Sequence, residues 1–259
     1  MRLNKKFALV LAVVMMLSIA ALSVSAAKVE TVDGLKSAKV GVQAGTIGET
    51  LVKNLLKGHS GEVVAFESPS DMIRALKARL IDAAVMDENP ARYFAITENE
   101  ALKILREPLK TEHYAIAFRK GDALRDKVNK ALAELMADGT RVKIIAKYIV
   151  GDPDPTEIDF NHDAEGKLWV GCAASFPPYE MRSAHGFYGI DIELCAAIAK
   201  KLGLELVIAD YRFEALADAL LEGKIDMICS AVTVTEERRE FLDFSEPYEA
   251  SQQVIVVLK

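Results

Sequence analysis

The sequence predicts an α/β protein of two similar lobes with a ligand cleft between them. Two internal echoes and one alternating pattern carry that reading. The stretches "IRALKARLIDAAVMDENPA" (73–91) and "ADALLEGKIDMICSAVTVT" (217–235) each give Ala-Leu, four residues, Ile-Asp and an apolar strand; Ala75 and Ala219 stand 144 apart, as do Asp82 and Asp226. Upstream of these, "KSAKVGVQAGTIGE" (36–49) matches "EGKLWVGCAASFPPYE" (165–180), a Val-Gly strand running into a loop of small residues. Strands alternating with helical patterns imply βαβ units around a mainly parallel sheet. Ligands of such sheets collect outside the carboxyl ends of the strands.

Taken in order, residues 1–26 read as an export signal: Arg2, Lys5 and Lys6, then the apolar run 7–22, then "SVSAA". The run is shorter than the roughly 20 residues that span a bilayer, and no Cys follows it to carry a lipid anchor. The expectation is an exported, extracytoplasmic and soluble protein. Its net charge of −6 becomes more acidic once that basic leader is removed, which argues against a nucleic-acid partner. Continuous apolar strands such as "AKVGV" and "DMICSAV" fit a sheet covered on both faces. Residues 121–140 and 141–150 carry Leu, Val and Ile at helical spacing. The stretch 151–166, with two Pro and several acids, reads as a linker. Cys172, Cys195 and Cys229 read as small buried thiols, with no metal-ligand spacing and no His nearby to activate them; pairing of Cys172 with Cys229 is left open. No cofactor or metal is expected.

Four sets of residues are candidates for holding a ligand. Thr235 is an N-cap, and Arg238 falls at the third helical position, where the positive end of the helix disfavours a cation. Arg238 therefore either holds an anionic ligand or pairs with Glu236, Glu237 or Asp243. Thr46 and Glu49 form a capping box whose amides, at Thr46, Ile47 and Gly48, suit an anion; the alternative is an ordinary βα turn. Asp87 ends an apolar strand and either receives an ammonium group or caps the helix before Pro90. Phe176 and Phe213 either flank a ligand side chain or belong to the core. With Ser230 and Thr233 added, the polarity suits a zwitterion: carboxylate to Arg238, ammonium to Asp87, apolar walls from the two Phe.

The motifs "GKLWVGCAASFPPYE", "GFYGIDIELCAAIAKKLGLELV", "TVTEERREFLDFSEPY", "VGVQAGTIGETL" and "IDAAVMDENPARYF" resemble those of the periplasmic amino-acid-binding proteins, the family 3 solute-binding proteins of ABC importers. The resemblance implies a two-lobed type II periplasmic-binding fold and an amino-acid ligand delivered to a membrane permease. It also implies site roles: Arg238, Ala231, Thr233 and the Ile47 amide region toward the ligand carboxylate, Asp87 with Ala231 and Thr233 toward the ammonium, Phe176 and Phe213 about the side chain. Ala173 stands where many relatives with polar ligands carry an acid. The motif order differs from the family's and implies a circular permutation: lobe 2 at 34–110, a return strand and helices of lobe 1 at 111–150, a linker at 151–166, and the main part of lobe 1 at 167–259. On that order only one chain crossing joins the lobes, near 109–118, which implies a loose ligand-free state. A monomer is expected, with a swapped dimer as the alternative. The competing functions are a cyclohexadienyl dehydratase-like enzyme, with Glu88 and Glu180 as the only nameable acids, and a ligand-sensing module for a separate receptor.

Overall fold

The computed structural model describes residues 29–98, 101–150, 158, 160 and 164–259. The expected signal lies outside the described residues, as does most of the expected linker; Ile158 of that linker is buried against the lobe 1 core. No helix among the described residues is long and apolar enough to cross a membrane.

Lobe 2 is built on strands β1 (Lys39–Gln43), β2 (Glu62–Phe66), β3 (Ala83–Asp87), β4 (Leu102–Ile104) and β5 (Lys110–Tyr114), with helices α1 (Ile47–Leu56), α2 (Pro69–Lys77) and α3 (Glu88–Thr97). Its sheet runs β2-β1-β3-β13-β4, where β13 (Glu249–Leu258) also pairs with β5. One face of the sheet carries Val40, Val42, Val85, Ile255 and Val257 against Val52 and Leu56 of α1. The other carries Ala84, Met86, Val254 and Val256 against Met72, Ile73 and Leu76 of α2 and Phe94 of α3. Helices therefore cover both faces, which explains why these strands read as unbroken apolar runs.

Lobe 1 is built on β6 (Ala117–Arg119), β7 (Lys167–Cys172), β10 (Glu205–Asp210), β11 (Met227–Ile228) and β12 (Leu242–Phe244), in the order β10-β7-β11-β6-β12. Between β7 and β10 lie the hairpin of β8 (Met181–Ser183) and β9 (Gly186–Tyr188), and then α6 (Ile190–Leu202). Helices α4 (Leu124–Ala137) and α5 (Thr140–Val150) pack with α6 on one side of the sheet, and α7 (Leu216–Leu221) covers the other.

The two sequence echoes have one physical cause. A Cβ on Gly41 would come within 2.5 Å of Ile81 Cδ1, and one on Gly171 within 2.3 Å of Ile225 Cδ1. Each Val-Gly strand is thus bare where the Ile of the matching Ile-Asp pair presses on it. The aspartates then clip each strand: Asp82 accepts from Lys39 N–H and Asp226 from Trp169 N–H, both at 2.8 Å.

The lobe boundaries depart from the sequence reading in two places. β13 does not belong to lobe 1: it lies inside the lobe 2 sheet, antiparallel to β3, β4 and β5. Its residues Val254–Val257 are buried on both sides, so it requires a central position with helices above and below. β5 likewise joins lobe 2, moving that boundary from 110 to 114. The chain therefore crosses between the lobes twice, at 114–117 and 244–249, and not once. The two crossings run side by side: Tyr248 N–H donates to Tyr114 O and Ser245 N–H to Ile116 O, each at 2.9 Å. The loose ligand-free state inferred from one crossing loses its basis.

Candidate ligand-binding site

The carboxyl ends of β1, β3, β7 and β11 converge on a narrow cavity between the lobes, with a volume of about 20 Å³. Ten of the residues singled out in the sequence lie on its wall, while Gly48, Glu49 and Thr235 do not. From lobe 2 come Thr46 and Ile47 at the start of α1, and Asp87 at the end of β3. From lobe 1 come Ala173 and Phe176 after β7, Phe213 after β10, and Ser230, Ala231, Thr233 and Arg238 after β11. Gln43, at the end of β1, completes the wall and was missed. The cavity opens past Arg238 and Phe213 into a groove that also meets Glu49, Glu214 and Glu237.

Arg238 sits in the short helix α8 (Glu236–Arg239), capped by Thr235, whose hydroxyl accepts from Arg238 N–H at 3.1 Å. Its guanidinium donates to Thr233 O at 2.7 Å and, across the cleft, to Gly45 O at 3.1 Å. It also lies over the Phe213 ring, 5.6 Å from the centroid. Of the alternative partners, Glu236 pairs with Arg239 and Asp243 with Lys120 and Arg125, while Glu237 makes no ion pair with Arg238 but acts on its charge. Burial pulls the Arg238 pKa down from its ordinary value, with Glu112, Glu237 and Asp87 opposing. The cation is held by neutral carbonyls and retains charge to offer an anion.

The capping reading of α1 also holds: Thr46 Oγ1 accepts from Glu49 N–H at 3.4 Å, and Glu49 reaches back to Gly45 N–H at 2.8 Å. The Thr46 amide itself is directed at Gln43 O. Asp87 precedes α3, but its side chain makes no cap hydrogen bond. It is buried and accepts from the Tyr114 hydroxyl at 2.5 Å. Burial and the neighbouring Glu112 push its carboxyl well above the usual range, with hydrogen bonds from Tyr114 and Gln253 opposing.

Behind Ser230 and Ala231 lies a second pair of buried carboxyls, Glu180 and Asp191. Ser230 Oγ donates to Glu180 and accepts from Ala173 N–H at 3.0 Å. Asp191 accepts from Ala231 N–H at 2.7 Å and from the Tyr248 hydroxyl at 2.8 Å. Ala231 has φ +45°, a left-handed conformation that disfavours Ala, and the Asp191 bond holds it there. The Ala231 amide is therefore occupied within the protein. Phe176 stacks on Tyr179, with ring centroids 5.9 Å apart. The two acids named for a dehydratase do not line the cavity: Glu88 pairs with Arg92, and Glu180 is wholly buried. Cys172, Cys195 and Cys229 are free and buried. Among the described residues no group of His, Cys, Asp or Glu is arranged to hold a metal ion.

Residues 168–259, which carry seven of the eleven wall residues, match the family of bacterial extracellular solute-binding proteins, family 3. The chain is similar to a probable histidine-binding protein of Campylobacter jejuni, 41% identical over 92 residues, or 36% of each chain. It is also similar to the arginine-binding extracellular protein ArtP of Bacillus subtilis, 37% identical over 93 residues and again 36% of each chain. The match thus spans about a third of the length of these curated relatives. Among solved structures, the arginine-bound form of domain 1 from TmArgBP is 41% identical over 36% of this chain and 81% of that one, with a TM-score of 0.32. The Gly52Ala mutant of arginine-bound ArgBP from T. maritima is 16% identical over 88% of this chain and 92% of that one, with a TM-score of 0.46.

Proposed function

We propose that this protein is an extracytoplasmic solute-binding protein that captures an amino acid between its lobes and delivers it to the permease of an ABC importer. One observation carries the reading: a narrow cavity between the lobes has a charged guanidinium on the lobe 1 side and a buried carboxyl on the lobe 2 side. The α-carboxylate of an amino acid would meet Arg238 and its ammonium Asp87, while Phe176 and Phe213 would border the side chain. Ala173 puts no acid beside those rings, so the pocket wall does not itself demand a cationic side chain there. Contacts across the cleft, such as Asn89 Nδ2 to the Tyr179 hydroxyl at 2.8 Å and Arg212 to Glu67 at 2.8 Å, are those a closed form would make. A ligand touching both lobes would favour that form over an open one. The names of the relatives, all binding proteins, support capture over catalysis.

The remaining parts of the proposal are export by residues 1–26, a monomeric state, and a permuted order in which the family 3 segment follows the lobe it closes upon. A thermal-shift screen of the twenty standard amino acids tests the function. The proposal expects at least one to raise the melting temperature; a screen with no shift, supported by calorimetry with no heat, would refute it.

A further inference from the structure

The strand register places more than Asp87 on the ammonium side of the cavity. β13 pairs Gln253 with Asp87 of β3, and Ser251 with Glu112 of β5. Alternate residues of a strand share a face, so Asp87, Glu112, Ser251, Gln253 and Tyr114 form one polar surface. Glu112 and Gln253 are 3% and 1% exposed, so neither carboxyl nor amide has recourse to water. Gln253 Nε2 donates to Glu112 at 2.7 Å, the Thr233 hydroxyl donates to its other oxygen, and Tyr114 donates to Asp87. The Asp87 and Glu112 carboxyls are neighbours on this surface and repel one another when both are charged. Glu112 does not reach the cavity wall; it stands behind Asp87.

Two carboxylates this close and this buried cannot both carry charge without a cation. The charged and titratable groups facing them are Arg238 from α8, Tyr114 on β5, and Tyr179 and Glu180 from the loop after β7. Lys110 and Glu249 flank them along β5 and β13, where Lys110 is exposed and Glu249 pairs with Arg141. Arg238 is the one cation of this set inside the cleft, and its single charge can offset only one of the two carboxylates. A proton can supply the missing positive charge in the empty cleft, and an ammonium group can supply it in the filled one.

We propose that Glu112 is a positioning residue of the ammonium site: beside it Asp87 holds a proton while the cleft is empty, and ligand binding expels that proton. This rests on the amino-acid reading above. The step balances: the Asp87–Glu112 pair loses H⁺ to solvent as R–NH₃⁺ takes its place, leaving the charge of that corner unchanged.

Isothermal titration calorimetry tests it with the standard amino acids, L-arginine first, in phosphate and in imidazole at one pH between 5.5 and 7. Because the two buffers differ in ionisation enthalpy, the apparent binding heat should differ by the amount that corresponds to between about half and one proton released. Affinity should rise by up to about tenfold per pH unit while the pair still holds its proton. Glu112→Gln should lower the number of protons released and weaken the pH dependence, since only burial then acts on Asp87, and Glu112→Asp should restore both. A merely structural Glu112 would change affinity without changing the proton count. Buffer-independent heats in the wild-type protein at both ends of that range overturn the inference whatever the variants do, as does an unchanged count in Glu112→Gln. If no amino acid binds at all, the proposed function fails, and this inference with it; binding without proton release sinks this inference alone.

Discussion

Replacing Arg238 by Ala removes the cation from the cavity and two hydrogen bonds from the protein, and the two losses can be measured separately. The guanidinium bonds Thr233 O at 2.7 Å within lobe 1 and Gly45 O at 3.1 Å across to lobe 2. Hydrogen bonds of this kind contribute about 1 kcal/mol each. At roughly 2–4 °C per kcal/mol for a chain of this size, the ligand-free protein should melt about 4–8 °C lower. The effect on binding should be larger, because the α-carboxylate would enter a dry site without its counter-charge. Truncating one partner of a buried charge pair costs about 2–5 kcal/mol. At 1.4 kcal/mol per factor of ten, affinity should fall at least about 30-fold. Calorimetry on the wild-type and R238A proteins gives the ratio directly. Arg239→Ala is the control: that side chain is 53% exposed and sits 3.9 Å from Glu236, a surface pair that should leave affinity unchanged within about twofold. An R238A protein that binds within threefold of wild type would refute the assignment.

Further expectations concern the scaffold behind the site. At Gly189, φ is +136° and an added Cβ would come within 2.1 Å of Tyr179 O, so Gly189→Ala should lose on the order of 3 kcal/mol in a denaturant titration. Ala231→Gly, which relieves a left-handed Ala, should be neutral or stabilising in the same assay, whereas Ala231→Val should destabilise. Burial raises the Asp191 pKa to about 7, against a model-peptide value of 3.8, with the bonds from Ala231, Tyr248 and Cys229 opposing. Because the folded value lies above the unfolded one, the stability Asp191 contributes is fully present below about pH 4. It declines by up to about 1.4 kcal/mol per unit as pH rises toward 7, and then levels. The difference in unfolding free energy between wild type and Asp191→Asn should trace that decline; a difference independent of pH would contradict it. All three thiols are buried, so a thiol reagent should react with none in the native protein and with three once it unfolds.

The cavity wall was readable from sequence because its chemistry sits where general rules place it. Asp87, Ala173 and Ser230 follow apolar strands, and strand carboxyl ends are where such sheets bind ligands. Arg238 was conspicuous because a cation in the first turn of a helix lacks a local reason. The supporting layer was not readable in this way. Glu112 lies within "LKTEHYAIAF", which was read as a connection between lobes, yet Glu112 and Tyr114 alternate inward as a strand requires. Their significance depends on β13 pairing 140 residues away, and nothing local in "QQVIVVL" states which sheet it will join. β13 was assigned to lobe 1 because it follows the lobe 1 motifs along the chain. The deciding factor was the unpaired side of β3, where a strand buried on both faces could be covered by helices of lobe 2. Local motifs identified the wall, and long-range strand pairing supplied what stands behind it.

The central claim is that the cavity recognises both ends of a zwitterion. The most direct measurement is calorimetry with the most strongly bound amino acid of the thermal-shift screen, alongside its decarboxylated amine and its N-acetylated form. The amine lacks the group assigned to Arg238, and the acetylated form lacks the cation assigned to Asp87. Each should bind at least about 30-fold more weakly than the parent amino acid, since each leaves one buried charge without its partner. Equal affinity for the parent and either derivative would contradict the account.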